Sequence, residues 1–144
     1  MKFLKKLSFL VICVIFSSVF VFAHDTPLAP EQLPAEVTAF VKANFPKQTI
    51  IYAEHEYNYE FELRLDDGSK VEVLKTGELK KAENKMKGIP ASLIPAEITA
   101  YVTKNYPNTI ITEVDKKGFG YKIELNNGLE MMFGQNGNFM GFDD

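Results

Sequence analysis

The chain alternates between two spacings of apolar residues, one typical of a short helix and the other of β-strands. Val37, Phe40 and Val41 recur at intervals of three and four residues, which places them on one face of a helix. Further along, apolar and polar residues alternate strictly: Tyr57, Tyr59, Phe61, Leu63 and Leu65 against Asn58, Glu60, Glu62 and Arg64. This period of two is typical of a strand with one buried and one polar face. The segment therefore predicts a helix followed by antiparallel strands.

The same succession of patterns occurs twice, because residues 33–79 reappear in altered form as residues 94–139. Leu33-Pro-Ala-Glu-Val matches Ile94-Pro-Ala-Glu-Ile, and Asn44-Phe-Pro matches Asn105-Tyr-Pro. The second unit is one residue shorter, and the alignment places this gap in the loop before Thr109. The alternating strand returns as Phe119, Tyr121, Ile123 and Leu125 against Gly120, Lys122, Glu124 and Asn126.

Glycine turns divide each unit into strands. Asp67-Gly68 and Asn127-Gly128 are typical of tight hairpins, and Gly77 and Gly137 mark a second turn in each unit. Each unit is then one helix followed by four antiparallel strands. A unit of this size buries too little apolar surface to be stable alone, so we expect the two units to share a core. The predicted fold class is α+β, with one domain over residues 24–142 that contains repeat 1 (31–83) and repeat 2 (91–142).

The first 23 residues have the composition of a signal peptide. Lys2, Lys5 and Lys6 precede an apolar run over residues 7–22, and Ala23 completes a small-residue cleavage site. Cleavage there would remove the only cysteine, so no disulfide is expected in the mature chain. We predict a periplasmic or secreted protein.

Net charge narrows the choice of partner. The full chain carries 16 Lys and Arg against 19 Asp and Glu, and loss of the signal peptide removes three of the lysines. An acidic mature chain disfavours nucleic acid and an anionic membrane surface. An exported protein with a basic surface is the expected partner. The lysines of residues 80–87 are interpreted as a solvated linker between the repeats, with a patch for an anionic ligand as the alternative.

Few residues suggest catalysis or metal binding. The mature chain would hold two histidines, no cysteine and no glycine-rich phosphate loop. Glu54, Glu56, Glu60 and Glu62 are dense enough to suggest paired carboxylates, but on a strand they are interpreted as a solvated face. Asp66-Asp67 lacks the further spaced oxygen ligands of a calcium loop. The sequence therefore predicts no enzyme, no metal and no cofactor.

The helix that opens with Pro-Ala-Glu, the Asn-Phe/Tyr-Pro that closes it and the two glycine turns, used twice behind a signal peptide, resemble the PepSY-like family. That family is described as β-lactamase-inhibitor-like and is common among exported proteins of Gram-negative bacteria. The resemblance covers residues 31–142. It implies a β-lactamase-inhibitor-protein-like domain in which both helices lie on one face of a shared antiparallel sheet and the other face is open.

The open face is the predicted binding surface. It would carry the polar residues of the alternating strands and their neighbours: Asn58, Glu60, Glu62, Arg64, Glu72, Lys122, Glu124, Glu130 and Met132. The expected function is a non-enzymatic exported binding module, an inhibitor or modulator of a periplasmic hydrolase. The alternative is a periplasmic small-ligand or envelope-stress protein with an apolar pocket between helices and sheet, lined by some of the twelve phenylalanines and six tyrosines.

Overall fold

Two ten-residue helices and one antiparallel sheet form the part of the chain that the computed structural model describes, residues 26–56 and 59–143. The helices are α1 (Ala35–Asn44) and α2 (Ala96–Asn105). The strands are β1 (Thr26–Pro27), β2 (Ile50–Glu56), β3 (Glu60–Leu65), β4 (Lys70–Leu74), β5 (Leu79–Glu83), β6 (Ile111–Lys117), β7 (Gly120–Leu125), β8 (Glu130–Gly134) and β9 (Phe139–Phe142). The predicted signal peptide and Asn58 lie outside the described residues.

The strands lie in the sheet in the order in which they occur in the chain, each antiparallel to the next. β2 to β5 follow α1, and β6 to β9 follow α2. The sheet passes from one repeat to the next at β5 and β6, where Lys81, Ala82 and Glu83 lie opposite Asp115, Val114 and Glu113. An α+β fold with two helices and one open antiparallel sheet is therefore confirmed.

The helices begin and end where the prolines predict. Pro34 and Pro95 occupy the N-cap positions, one residue before the first helical turn. At the other end Phe45 and Tyr106 close the helices by donating their backbone amides to the carbonyls of Val41 and Val102. A proline follows each closing residue and prevents a further turn, since it lacks the amide donor.

One hydrophobic core joins both repeats. It combines residues of α1 and α2 with every second residue of the central strands. Val37 and Ile98 of the helices are fully buried, as are Leu63 and Ile123 of the strands. The side of the sheet that carries these buried strand residues is called the core side below.

Two aromatic residues that the alternation assigned to this core lie elsewhere, and both assignments were wrong. Tyr59 precedes β3 with a positive φ of 64° and is 69% exposed. Phe119 lies in the turn before β7 and is 44% exposed. Both residues precede the first residue of their strand, where side chains do not follow the strand's period of two.

The one-residue gap between the repeats does not lie in the loop where the sequence alignment places it. Ala53 lies opposite Leu63, and Val114 lies opposite Ile123, so Ala53 and Val114 are equivalent positions. They are 61 residues apart, the same offset as the helices, whereas Leu65 and Leu125 are 60 apart. The gap therefore falls in the hairpin before β7, and the loop before Thr109 keeps its length.

Candidate functional site

The strand residues that alternate with the core residues form the other side of the sheet, which is called the polar face here. Eight of the nine predicted site residues lie on it, and the ninth, Asn58, is outside the described residues. They are Glu60, Glu62 and Arg64 of β3, Glu72 of β4, Lys122 and Glu124 of β7, and Glu130 and Met132 of β8. The predicted facing of these strands is consistent with the burial of their other residues.

Five glutamates on the first three full strands form an acidic cluster: Glu54, Glu56, Glu60, Glu62 and Glu72. Glu56 lies directly opposite Glu60, and Glu62 lies between Glu54 and Glu72 on the neighbouring strands. Carboxylate oxygens of Glu56, Glu60 and Glu72 all lie within 4.8 Å of one another, as do those of Glu54, Glu56 and Glu62. Like charges in opposed positions destabilise a sheet by up to about 1 kcal/mol per pair.

Cations compensate part of this repulsion. Glu62 is only 4% exposed, and it binds the Lys70 ammonium at 2.8 Å and Arg64 Nε at 3.2 Å. Burial would raise the pKa of Glu62, but the hydrogen bonds from these two cations outweigh it and lower that pKa. Lys80 lies between two further carboxylates, in contact with Glu60 and 3.5 Å from Glu72.

Glu54 and Glu56, on β2, are the members of the cluster that make no ion pair with any described residue. Glu54 accepts a hydrogen bond of 2.6 Å from the Tyr52 hydroxyl. Burial raises the pKa of Glu56, and the negative charge of Glu72 raises it further. The β2 end of the cluster therefore keeps negative charge that no ion pair with a described residue neutralises.

The second repeat handles its carboxylates differently. Glu83, Glu113, Glu124 and Glu130 lie opposite one another in a row across β5 to β8. Lysines are distributed along the row: Lys81 binds Glu113 at 3.0 Å, Lys85 bridges Glu113 and Glu124, and Lys122 binds Glu130 at 2.8 Å and Asp143 at 2.6 Å. Burial would raise the pKa of Glu113, but the Lys81 ammonium outweighs it and lowers that pKa.

These ion pairs correct two predictions about charge. Lys80 and Lys81 belong to β5, and with Lys85 they bind glutamates of the sheet, so they are neither a solvated linker nor an unoccupied patch for an anion. The interpretation of the alternating strand's glutamates as a solvated face is wrong for Glu62, which is buried.

The acidic cluster is confined to the first repeat. Lys117, opposite Gly120, stands where Glu56 faces Glu60 in repeat 1, and Met132 takes the place of Glu72. The two repeats therefore share a backbone but differ in the charge of their polar faces. Among the described residues, carboxylate oxygens of three glutamates come within 4.8 Å of one another only in repeat 1.

The sequence names Glu54 and Glu56 as candidate paired carboxylates but not as binding residues, and Glu83, Glu113, Asp115 and Asp143 are not among the predicted site residues. The signal for the first two was present, since Tyr52, Glu54 and Glu56 alternate with Ala53 and His55. Glu83, Glu113 and Asp115 come together because β5 and β6 pair across the repeat boundary, and Asp143 joins the face beside β8.

A cleft beside α2 bears on the alternative of a small-ligand pocket. It has a volume of about 220 Å³, and Ile89, Ile94, Val102, Thr109 and Ile111 are among the residues that line it. Ligand pockets are usually about 300–1,000 Å³. This cleft is therefore small for the purpose, whereas a second depression of about 580 Å³, lined by Glu36, Tyr59, Lys75 and Thr76, lies within that range.

Neither helix of the described residues has the length and hydropathy needed to span a bilayer.

No curated protein matches the sequence. Solved structures do match. A "putative calcium-regulated periplasmic protein" from Bacteroides thetaiotaomicron is 28% identical with a TM-score of 0.77, over 83% of this chain and 97% of that one.

Two proteins from Bacteroides vulgatus, each described as a "putative periplasmic protein", are similar as well. One is 27% identical with a TM-score of 0.75, over 83% of this chain and 97% of that chain. The other is 26% identical with a TM-score of 0.78, over 84% of this chain and 100% of that chain. The predicted periplasmic or secreted location agrees with all three descriptions.

The sequence also matches a family twice, along residues 20–67 and 59–141, and the family is described as "Putative beta-lactamase-inhibitor-like, PepSY-like". The two matches together extend over most of the chain and agree with the internal repeat. The resemblance drawn from the helix and turn motifs is confirmed: this chain belongs to the PepSY-like family.

Proposed function

We propose that this protein is a non-enzymatic periplasmic binding module that holds a basic partner on its polar face. Both helices pack on the core side in this proposal, and the polar face is left to the partner. Such a partner is a periplasmic hydrolase with a basic surface, which the module inhibits or modulates. The observation that carries the proposal is the acidic cluster, with Glu54 and Glu56 unpaired among the described residues.

The chemistry of the cluster favours a lysine or arginine side chain as its occupant. Lys80 already shows the mode of binding, because its ammonium lies between Glu60 and Glu72. A partner's cation placed beside Glu54 and Glu56 would relieve the repulsion between opposed carboxylates. Charged groups at such a surface steer association and fix which partner is accepted.

Three of the five glutamates in the cluster are held by the protein's own cations before any partner arrives. Side chains of Glu60, Glu62 and Glu72 are 17%, 5% and 19% exposed, and each is held by a cation. A preorganised site loses less conformational entropy on binding than mobile surface glutamates do. The opposed like charges destabilise the free protein, and a local destabilisation of this kind is typical of functional sites.

The proposal is tested by capture of the partner. We expect the tagged mature chain, cross-linked in the native periplasm, to retain a protein with a basic surface at near-stoichiometric yield. Glu54→Gln/Glu56→Gln should lower this yield about tenfold, because two carboxylates that face the cation lose their charge. The matched control is Glu31→Gln/Asp66→Asn, which removes the same charge from exposed positions and should retain the partner. Equal capture by the two double variants would contradict the proposal.

Calcium is a second candidate occupant, favoured by one specific observation. The structurally similar Bacteroides thetaiotaomicron protein is described as calcium-regulated. Calcium takes six to eight oxygen ligands at about 2.3–2.6 Å, so its ligand oxygens lie within about 5 Å of each other. Two carboxylate triplets that share Glu56 meet that spacing. Asp66 and Asp67 are not part of either triplet.

The variant Glu56→Gln tests this candidate by thermal unfolding. Because the folded protein raises the pKa of Glu56, its ionisation destabilises the fold once the pH exceeds the ordinary carboxyl range. In the presence of a calcium chelator, the melting temperature of Glu56→Gln should therefore be higher than that of wild type at pH 7. This difference should vanish below about pH 4. Millimolar calcium should raise the wild-type melting temperature and leave that of Glu56→Gln unchanged. A calcium effect of equal size in both proteins would exclude the cluster, and Asp66→Asn serves as the control.

A further inference from the structure

The junction of the two repeats shows how this fold accepts an additional strand. β5 is the last strand of repeat 1, and β6 of repeat 2 pairs with its outer side. Ala82 and Val114 face each other on the core side of this junction and are both fully buried. The Asn84 amide extends the pairing by donating to the carbonyl of Thr112 at 2.9 Å.

β9 occupies in repeat 2 the place that β5 occupies in repeat 1. Phe142 lies opposite Met131 as Ala82 lies opposite Val71, and both strands have a bulge at the same point. No described strand pairs with the outer side of β9. Phe142 is accordingly 48% exposed and Met140 is 59% exposed, whereas Ala82 is buried.

The opposite edge of the sheet is covered by the protein's own chain. Pro27 of β1 lies opposite Glu54, and the Leu28 amide donates to the carbonyl of Ala53 at 2.8 Å. Ala53 is the equivalent of Val114, so this segment covers β2 at the place where β5 covers β6. Edge strands are usually blunted in this way to prevent pairing with other chains. Among the described residues, β9 has no comparable cover.

We propose that β9 is a docking edge that accepts an extended segment of a partner protein as an antiparallel tenth strand. The junction of the repeats supplies the geometry: the segment continues the sheet through backbone hydrogen bonds, as β6 does on β5. Its residue opposite Phe142 is small and apolar, because the phenyl ring fills space that Ala82 leaves open. This proposal is independent of the polar-face proposal.

The charges near Asp143 determine which residue the segment carries opposite it. At the junction, Glu83 lies opposite Glu113, and Glu113 binds both Lys81 and Lys85. At the β9 edge, Gly141 is the equivalent of Lys81. Lys122 alone among the described residues forms ion pairs with Glu130 and Asp143. The incoming strand therefore carries a lysine or arginine opposite Asp143, in contrast to the glutamate of β6.

A synthetic peptide derived from β6 is the probe. It has the sequence of residues 110–117 with Glu113→Lys and Val114→Ala, which are the two changes that the β9 edge calls for. Added to the isotope-labelled mature chain, it should give saturable amide shifts centred on residues 139–143 and protect the outward amides from exchange. A scrambled peptide of the same composition should not do so. Shifts on β2 and β3 instead, or equal shifts with the scrambled peptide, would overturn the proposal.

Two variants of Phe142 separate backbone pairing from loss of the ring. Asp143 donates its amide to Glu130 at 3.2 Å, so by alternation the Phe142 amide points away from β8. Phe142→Pro removes that amide and Phe142→Ala keeps it. We expect Phe142→Pro to bind the peptide at least about tenfold more weakly than Phe142→Ala. Equal affinity would overturn the proposal, and if the proline variant does not fold, the shift map on the wild type decides.

Discussion

Replacing Gly120 with alanine is expected to destabilise the fold by about 3 kcal/mol or more, the range reached when a substitution forces backbone to move. Gly120 has a φ of +150°, and a Cβ there would lie 2.1 Å from the Phe133 carbonyl oxygen and 2.5 Å from the Gly134 carbonyl carbon. These atoms belong to β8, the strand paired with β7. Relief of the clash would therefore require the two strands to separate.

Chemical denaturation of Gly120→Ala beside Gly118→Ala measures this effect. Gly118 lies two residues away in the same hairpin, and a Cβ there would meet nothing within 4 Å. The control variant should unfold close to wild type. If both variants unfold at the same denaturant concentration, β7 and β8 do not approach each other as closely as described.

Charge reversal of Glu62 should destabilise the protein by about 3 kcal/mol or more, the range found when one partner of a buried ion pair is lost. Glu62→Lys would place a third cation beside Lys70 and Arg64, at a position that is 4% exposed. The interpretation of this strand's glutamates as a solvated face predicts only a small effect, and the burial of Glu62 revises it.

Two comparisons check this account of Glu62. Asp66→Lys reverses an exposed charge just beyond the same strand and should change the free energy of unfolding by no more than about 0.5 kcal/mol. Glu62→Gln should cost less than Glu62→Lys. Because the folded protein lowers the pKa of Glu62, its charge stabilises the fold above the ordinary carboxyl pKa, and this stabilisation is lost as the pH falls through the folded value. The deficit of Glu62→Gln should therefore shrink in acid.

The elements of the fold could be predicted because their signals are local. Apolar spacing of three and four within each helix, a proline after its last turn and an Asp-Gly or Asn-Gly hairpin each act over a few residues. The facing of β3 and β7 followed from alternation alone. The repeat then supplied a second, independent instance of every assignment.

The features that could not be predicted from the sequence depend on contacts between distant parts of the chain. Tyr59 and Phe119 continue the alternation in sequence. However, β3 and β7 begin one residue later, and both aromatic residues lie in the preceding hairpin turns. The burial of Glu62 depends on strands packed on both sides of β3. Lys85 reaches Glu124 only because the sheet continues from one repeat into the next. The charge of the face could be read from sequence, and the way its carboxylates are paired could not.

The central claim is that a basic partner lies on the polar face, and site-specific cross-linking tests it most directly. Leu74 lies opposite Glu60 on this face, whereas Lys42 is exposed on α1. A photoreactive residue at position 74 is predicted to form an adduct with a basic periplasmic protein in living cells, and the adduct should disappear in the Glu54→Gln/Glu56→Gln background. An adduct that forms from position 42 and not from position 74 would contradict the claim.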